Sequence, residues 1–368
     1  MRFPEFSGEW EYKSLGEIGE SLIGLTYSPS DVVKEGGTIV FRSSNIQDGV
    51  IDYGDLVRVS KKIKDSIITR DGDLLICARN GSTRLIGKNA LLKKSDEGQT
   101  FGAFMMVFRS IDNRFVHQLL STKAYSTQVS ENLGARINQI TTRNFAEYTF
   151  GMPQTSEEKE KIGTFLELIN DRIETQSKII EEQETLLKSL ADKMFLQNNF
   201  SSQLSELVNI EKGKQLNADT LSETGDYYVM NGGITPSGYY SEYNVPAGAI
   251  SISEGGNSCG YVQFNEKPFW SGGHCYSLQC RTNLVDYKYI YYFLKTKEAD
   301  VMALRIGSGL PNIQKKDIEK FTISYPSLQL QKQFVKVLDA LSGKINTEKN
   351  LLEKYCQQKS YLLSQMFI

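Results

Sequence analysis

Two stretches of the chain carry apolar residues at steps that alternate four and three. In the first, the positions are Ile162, Leu166, Ile169, Ile173, Gln176, Ile180, Gln183, Leu187, Leu190 and Met194. In the second they are Phe334, Leu338, Leu341, Ile345, Glu348, Leu352, Tyr355, Lys359, Leu362 and Met366, the same register 172 residues later. A 3.5-residue repeat held over about four heptads predicts a coiled-coil seam. A helix lying on a globular core would need a broader apolar stripe. Gln176, Gln183, Glu348 and Lys359 interrupt the seam and are expected to fix register at some cost in stability.

Elsewhere the pattern changes to short apolar runs between turn residues, and these also occur twice. Gly72-Asp73-Leu74-Leu75-Ile76-Cys77-Ala78-Arg79-Asn80-Gly81-Ser82 aligns without a gap to Gly248-Ala249-Ile250-Ser251-Ile252-Ser253-Glu254-Gly255-Gly256-Asn257-Ser258. Each is a turn glycine, a strand and a polar loop. Residues 145–153 and 318–326 are alternating strands stopped by Pro153 and Pro326, where a ladder must end. Leu15-Gly16-Glu17-Ile18 and Leu204-Ser205-Glu206-Leu207 open the two copies. The chain is therefore expected to run globular (1–153), helix (154–200), globular (201–326), helix (327–368).

Charge indicates how the helices pair. Residues 154–200 hold 6 basic and 10 acidic side chains, whereas residues 327–368 hold 6 basic and 3 acidic. Opposite net signs favour the two helices pairing with each other over either pairing with its own copy. A repeat related by a two-fold axis makes the pair antiparallel. The fold class expected is mixed α+β: two globular domains joined by an intramolecular antiparallel coiled coil.

Composition narrows the class. The 368 residues carry a formal charge of −2, which is not the profile of an arginine-rich nucleic-acid binder. A hydrophobic share of 40% and a charged share of 23% exclude a disordered chain. No apolar run reaches the roughly 18 residues of a membrane helix, and no secretory signal is expected at the N-terminus. Five scattered cysteines without a CxxC pair fit reduced thiols in a cytoplasmic chain.

The distribution of charge changes the picture. Within residues 58–94 there are 10 basic side chains against 3 acidic. They surround the strand 73–78 and its loop, whose Arg79, Asn80, Ser82 and Arg84 are suited to a DNA groove. Arginine reads guanine edges, asparagine reads adenine, and lysine holds phosphate. Arg136 and Asn138 offer the same types further on. A solvated basic face is the competing reading. In the second half the candidates are Asn231, Asn257, Ser258, Ser271, His274 and Asn312, on glycine-rich loops that also suit plain hairpin turns. Tyr239, Tyr240 and Tyr243 could stack on bases but fit half-buried strand positions better.

Enzymatic motifs fail on inspection. Gly81 to Gly87-Lys88 has a spacer one residue too long for a phosphate-binding loop, and Asn89 stands where Ser or Thr is required. No GxGxxG follows a strand, and no Asn/Asp-Pro-Pro-aromatic tetrad is present to hold a target adenine. His274, Cys275 and Cys280 lack the paired spacing of structural zinc.

The combination resembles the DNA-specificity subunits of type I restriction–modification systems. The resemblance is carried by Arg2-Phe3-Pro4-Glu5-Phe6…Trp10 and by Asn312-Ile313-Gln314…Phe321-Thr322-Ile323-Ser324-Tyr325-Pro326, followed by Gln329-Leu330-Gln331-Lys332-Gln333-Phe334 and the long helix. It implies two target-recognition domains with curved β-sheets, each reading one half of a split, asymmetric site on double-stranded DNA. It implies that the helix pair acts as a spacer and docks methyltransferase subunits, usually two, with a restriction subunit joining for cleavage. It implies no catalysis by this chain, and that S-adenosylmethionine binds the methyltransferase partner. A helix of about 40 residues is roughly 60 Å long, enough for such a spacer. The alternative is a tandem β-domain ligand-binding scaffold held by a coiled coil.

Overall fold

The computed structural model describes residues 1–133, 138–196, 199–307, 309 and 311–367. Two compact units form, Met1–Ser177 with Leu351–Ile368, and Lys178–Asn350. These limits fall inside both long helices, so compactness does not follow the four segments expected from the sequence. Each unit takes half of each helix because those halves complete its core.

In the first unit, strands Glu20–Ile23, Met105–Arg109, Leu74–Cys77 and Asn89–Leu91 form an antiparallel sheet in that order. A second sheet runs Thr100–Phe101, Thr38–Phe41, Val57–Val59 and Val32–Val33, with its first pair parallel. Leu74, Ile76, Met106 and Phe108 face a helical layer of Phe115, Val116, Phe145, Ile162 and Leu166. The alternate residues Leu75, Cys77, Met105 and Val107 pack on Phe41 and Phe101 of the second sheet. Burial on both faces is why Leu74–Cys77 reads as an unbroken apolar run rather than an alternating one.

The second unit repeats this plan. Its main sheet is Val208–Lys212, Cys275–Cys280, Ala249–Ser253 and Val262–Asn265, again antiparallel. Its second sheet is Tyr239–Tyr240, Tyr227–Met230 and Trp270–Ser271, again with one parallel pair. Ile250, Ile252, Tyr276 and Leu278 face Tyr289, Ile290, Phe334 and Leu338, while Ala249 and Cys275 pack on Met230 and Phe269. An antiparallel strand pair closes each unit, Glu11–Ser14 with Thr149–Met152 and Phe200–Gln203 with Thr322–Tyr325. The strands expected at 145–153 and 318–326 are shorter, because their first residues complete the short helices Thr142–Glu147 and Lys315–Glu319. The class is mixed α/β with curved sheets.

The long helices are Ser156–Met194 and Leu328–Met366, 39 residues each. Every heptad position, including Ile169, Ile173, Leu187, Leu190, Met194, Leu341 and Leu352, is buried or half-buried. In the first unit Ile162 and Leu166 share a core with Leu362, Leu363 and Met366, and the Arg172 guanidinium lies 4.7 Å over the Tyr355 ring. In the second, Ala191 and Phe195 share a core with Phe334, Val335 and Leu338, and Glu184 pairs with Lys349 at 2.6 Å. Within each unit, numbers rise along one helix as they fall along the other, so the segments are antiparallel. Leu363, Ala191 and Val335 widen the stripe at the helix ends. There each helix must cover a domain core as well as its partner helix.

Candidate nucleic-acid interface

In the first unit, three segments meet where Leu74–Cys77 ends. The N–H groups of Ala78 and Arg79 both donate to the Phe104 carbonyl, at 3.0 and 2.9 Å. Ile140 N–H donates to the Ala78 carbonyl at 2.7 Å, and Arg79 bridges Gln139. Arg79 is exposed, and its guanidinium stands 5.2 Å over the ring of Phe104, itself 60% exposed. Ser82, Arg84 and Asn138 are exposed on the same segments. Asn80 is not free: its amide donates to Ser43 Oγ at 3.0 Å and its carbonyl accepts from Ser82 N–H at 3.0 Å. It braces the loop and leaves the outward positions to its neighbours. Arg136 lies outside the described residues. Of the basic run, Lys93 contacts Asp171 and Glu174 at 3.4 Å each, whereas Lys62, Lys64, Arg70 and Lys94 are exposed. The Cys77 thiol beneath the loop is pushed up to about 11 by burial, which makes it inert.

The second unit builds the same rim with other side chains. Glu254 N–H donates to the His274 carbonyl at 2.9 Å, Ile313 N–H to the Glu254 carbonyl at 2.8 Å, and Gly255 bridges Asn312. His274, Asn257 and Asn312 are exposed and Ser258 is half-buried. Asn231 and Ser271 instead shape the rim from inside. Asn231 Oδ1 accepts from His274 N–H at 3.1 Å. Ser271 is buried, and its N–H donates to Asn244 Oδ1 at 2.6 Å. Gly272 is required here, since a Cβ would stand 2.6 Å from Asn231 Oδ1.

Sequence reasoning passed over three side chains at these rims: Phe104, Lys212 and Glu254. Glu254 is only 8% exposed. Its Oε1 lies 2.6 Å from Lys212 Nζ and 3.1 Å from the Tyr276 hydroxyl, and its Oε2 lies 3.6 Å from His274 Nδ1. Burial, with Glu254 second, pushes the Tyr276 hydroxyl well above the usual phenol range. One signal was available: Gly102-Ala103-Phe104-Met105 matches Gly272-Gly273-His274-Cys275 in position before the aligned strands. Among the described residues, no group of three or more His, Cys, Asp and Glu is placed to hold a metal ion. No described helix is long and apolar enough to cross a membrane.

The fold and the paired rims define a duplicated two-domain protein, with unlike loops set on a common sheet plan. A family model for the type I restriction modification DNA specificity domain matches residues 7–185 and again residues 198–354. The chain therefore belongs to that family and carries its domain twice. A protein of Mycoplasma pneumoniae described as a type I specificity subunit is 33% identical over 152 residues, 41% of this chain and 40% of that protein. The type I restriction enzyme EcoKI specificity subunit of Escherichia coli is 29% identical over 168 residues, 43% of this chain and 36% of that protein. The chain spans about half the length, or less, of the curated relatives it matches. A crystal structure of a type I restriction-modification S subunit from M. genitalium has the same fold. Its TM-score is 0.74 at 20% identity, over 100% of this chain and 99% of that one.

Proposed function

We propose that this chain is the sequence-reading, non-catalytic subunit of a type I restriction–modification complex. Each globular unit reads one half of a bipartite, asymmetric site on double-stranded DNA. The observation that carries this is the duplicated rim, in which one backbone plan presents two unlike sets of side chains. Two copies of one head with different readers suit a site whose halves differ in sequence. Arg79, Ser82, Arg84 and Asn138 are the outward candidates in the first head, and His274, Asn257, Ser258 and Asn312 in the second. Arginine, asparagine and histidine can address base edges, and the exposed lysines beside the first head can address phosphate.

The paired helices set the spacing between heads and dock methyltransferase subunits, two in the simplest arrangement, with a restriction subunit joining for cleavage. S-adenosylmethionine belongs to the methyltransferase partner, and this chain binds no cofactor. Its five free cysteines suit a reducing cytoplasm. The reading is supported by the family match over both halves and by the E. coli relative, itself named as the specificity subunit of a restriction enzyme.

Methylation mapping tests it. Cells carrying this gene with its methyltransferase partner should show one split motif, and replacing residues 201–326 should alter only one half of that motif. Alteration of both halves would remove the two-reader model. Salt-independent binding of some other ligand would favour the tandem ligand-binding scaffold, since DNA contacts weaken steeply with salt.

A further inference from the structure

Register places four positions of the two units in correspondence around the rim. Met106 faces Ile76 and Ile23 in the first sheet, as Tyr276 faces Ile252 and Lys212 in the second. Ala78 and Phe104 correspond to Glu254 and His274 through the matching backbone hydrogen bonds to the Phe104 and His274 carbonyls. The first unit thus builds this corner from Ile23, Ala78, Phe104 and Met106, all without charge. The second builds it from Lys212, Glu254, His274 and Tyr276. The plan folds without charge here, so the buried carboxylate is not a requirement of the scaffold. Burying one carries a desolvation cost that an apolar set avoids.

The carboxylate is also only half used. Lys212 and Tyr276 occupy Oε1, whereas Oε2 is buried with no hydrogen-bond partner. Such an atom is costly to leave unmet. Oε2 faces Nδ1 of His274, whose side chain is 61% exposed. The separation of 3.6 Å is a few tenths of an ångström beyond a hydrogen bond.

We propose that Glu254 is a positioning residue for target reading by the second head. By taking the Nδ1–H of His274, it fixes the ring and directs the Nε2 lone pair outward as an acceptor for an exocyclic base amine, adenine N6–H or cytosine N4–H, in the major groove. In neutral imidazole one nitrogen donates and the other accepts, and the partner of the first decides which. Lys212 holds the carboxylate and offsets its charge near phosphate. The first head has no counterpart, because Phe104 stands where His274 does.

This rests on the DNA-reading function above, and the test separates the two. The full chain, with and without co-expressed methyltransferase subunits, is used to select from a library of random DNA duplexes. Glu254→Ala is expected to lose about tenfold selectivity at a single base pair of one half-site, within the range of one good base contact. His274→Ala should lose selectivity at the same base pair. Glu254→Gln, whose amide oxygen still accepts from Nδ1, should keep most of it, and the other half-site should be unchanged throughout. Lys212→Ile, Glu254→Ala and Tyr276→Met combined give the second unit the first unit's residues at these positions, so a folded variant is available if Glu254→Ala misfolds. Unchanged base preference in a folded variant would overturn the proposal. So would a uniform loss over all sequences, which marks a phosphate or purely structural role. A wild-type chain with no base preference would overturn the proposal and the DNA-reading function together.

Discussion

The main sheets of the two units agree in strand order and register, yet they bury charge at opposite ends of the same strand pair. In the first, Arg109 grips Asp73 with two hydrogen bonds of 2.8 and 2.7 Å, and the Asp73 side chain is 2% exposed. The corresponding positions of the second unit hold Gln279 and Ala249. At the other end the second unit holds Glu254 with Lys212, where the first has Ala78 and Ile23. The apolar residues on the helix-facing side of the main sheet are common to both units, Leu74, Ile76, Met106 and Phe108 in one and Ile250, Ile252, Tyr276 and Leu278 in the other, and they fix the plan. The polar pairs at strand ends are additions that either copy can gain or lose. A scaffold so tolerant at its edges can change its loops without changing its fold.

The largest effect that would break this comparison is at the Arg109 end. Asp73→Ala leaves a largely buried guanidinium without its carboxylate and should cost the first unit about 3–5 kcal/mol. Adding Arg109→Gln, which gives the second unit's pair, should recover more than half of it. Denaturant unfolding checks both, and equal losses for the single and double variants would show that the pair is not exchangeable.

Next is a difference in acid response. His117 is buried, and its imidazole is pushed down to about 4, chiefly by burial and secondly by the charge of Lys359. In the unfolded chain it takes up a proton near pH 6.5. Between those values the unfolded state binds the extra proton. The first unit should therefore lose stability as pH falls from about 6.5 toward 4, by roughly 3 kcal/mol at the lower end. The matching position of the second unit is Tyr291, whose hydroxyl is pushed up to about 12 and does not titrate in that range. Hydrogen exchange in Asn113–Leu119 and in Tyr287–Thr296 against pH should diverge, and His117→Gln should flatten the first profile.

The smallest difference is at the short helices before the closing strands. Thr141 caps Thr142–Glu147 by accepting from Asn144 N–H at 3.1 Å, whereas Gln314 makes no such bond to Lys315–Glu319. Thr141→Ala should cost about 1 kcal/mol, and Gln314→Ala should cost almost nothing by the same unfolding measurement.

The features legible in the sequence were those that burial writes locally. The steps from Ile162 to Met194 and from Phe334 to Met366 announced the helices and their register, because a seam must recur every 3.5 residues to stay covered. The gapless match of 72–82 to 248–258 announced the repeat, and strand register in the structure follows it residue for residue. The loops carrying the candidate readers could be located in the same way.

Which of their side chains point outward was decided only by the tertiary structure. Asn80, Asn231 and Ser271 have the composition of readers, but Ser43, His274 and Asn244, all distant in sequence, hold them inside. Phe104, Lys212 and Glu254 carry no motif and reach the rims only because the main sheet brings Met105–Arg109 beside Leu74–Cys77, and Val208–Lys212 beside Cys275–Cys280. Periodicity along a chain reports which face of an element is buried. It does not report what lies across a gap of twenty to sixty residues, because sheet closure sets those neighbours.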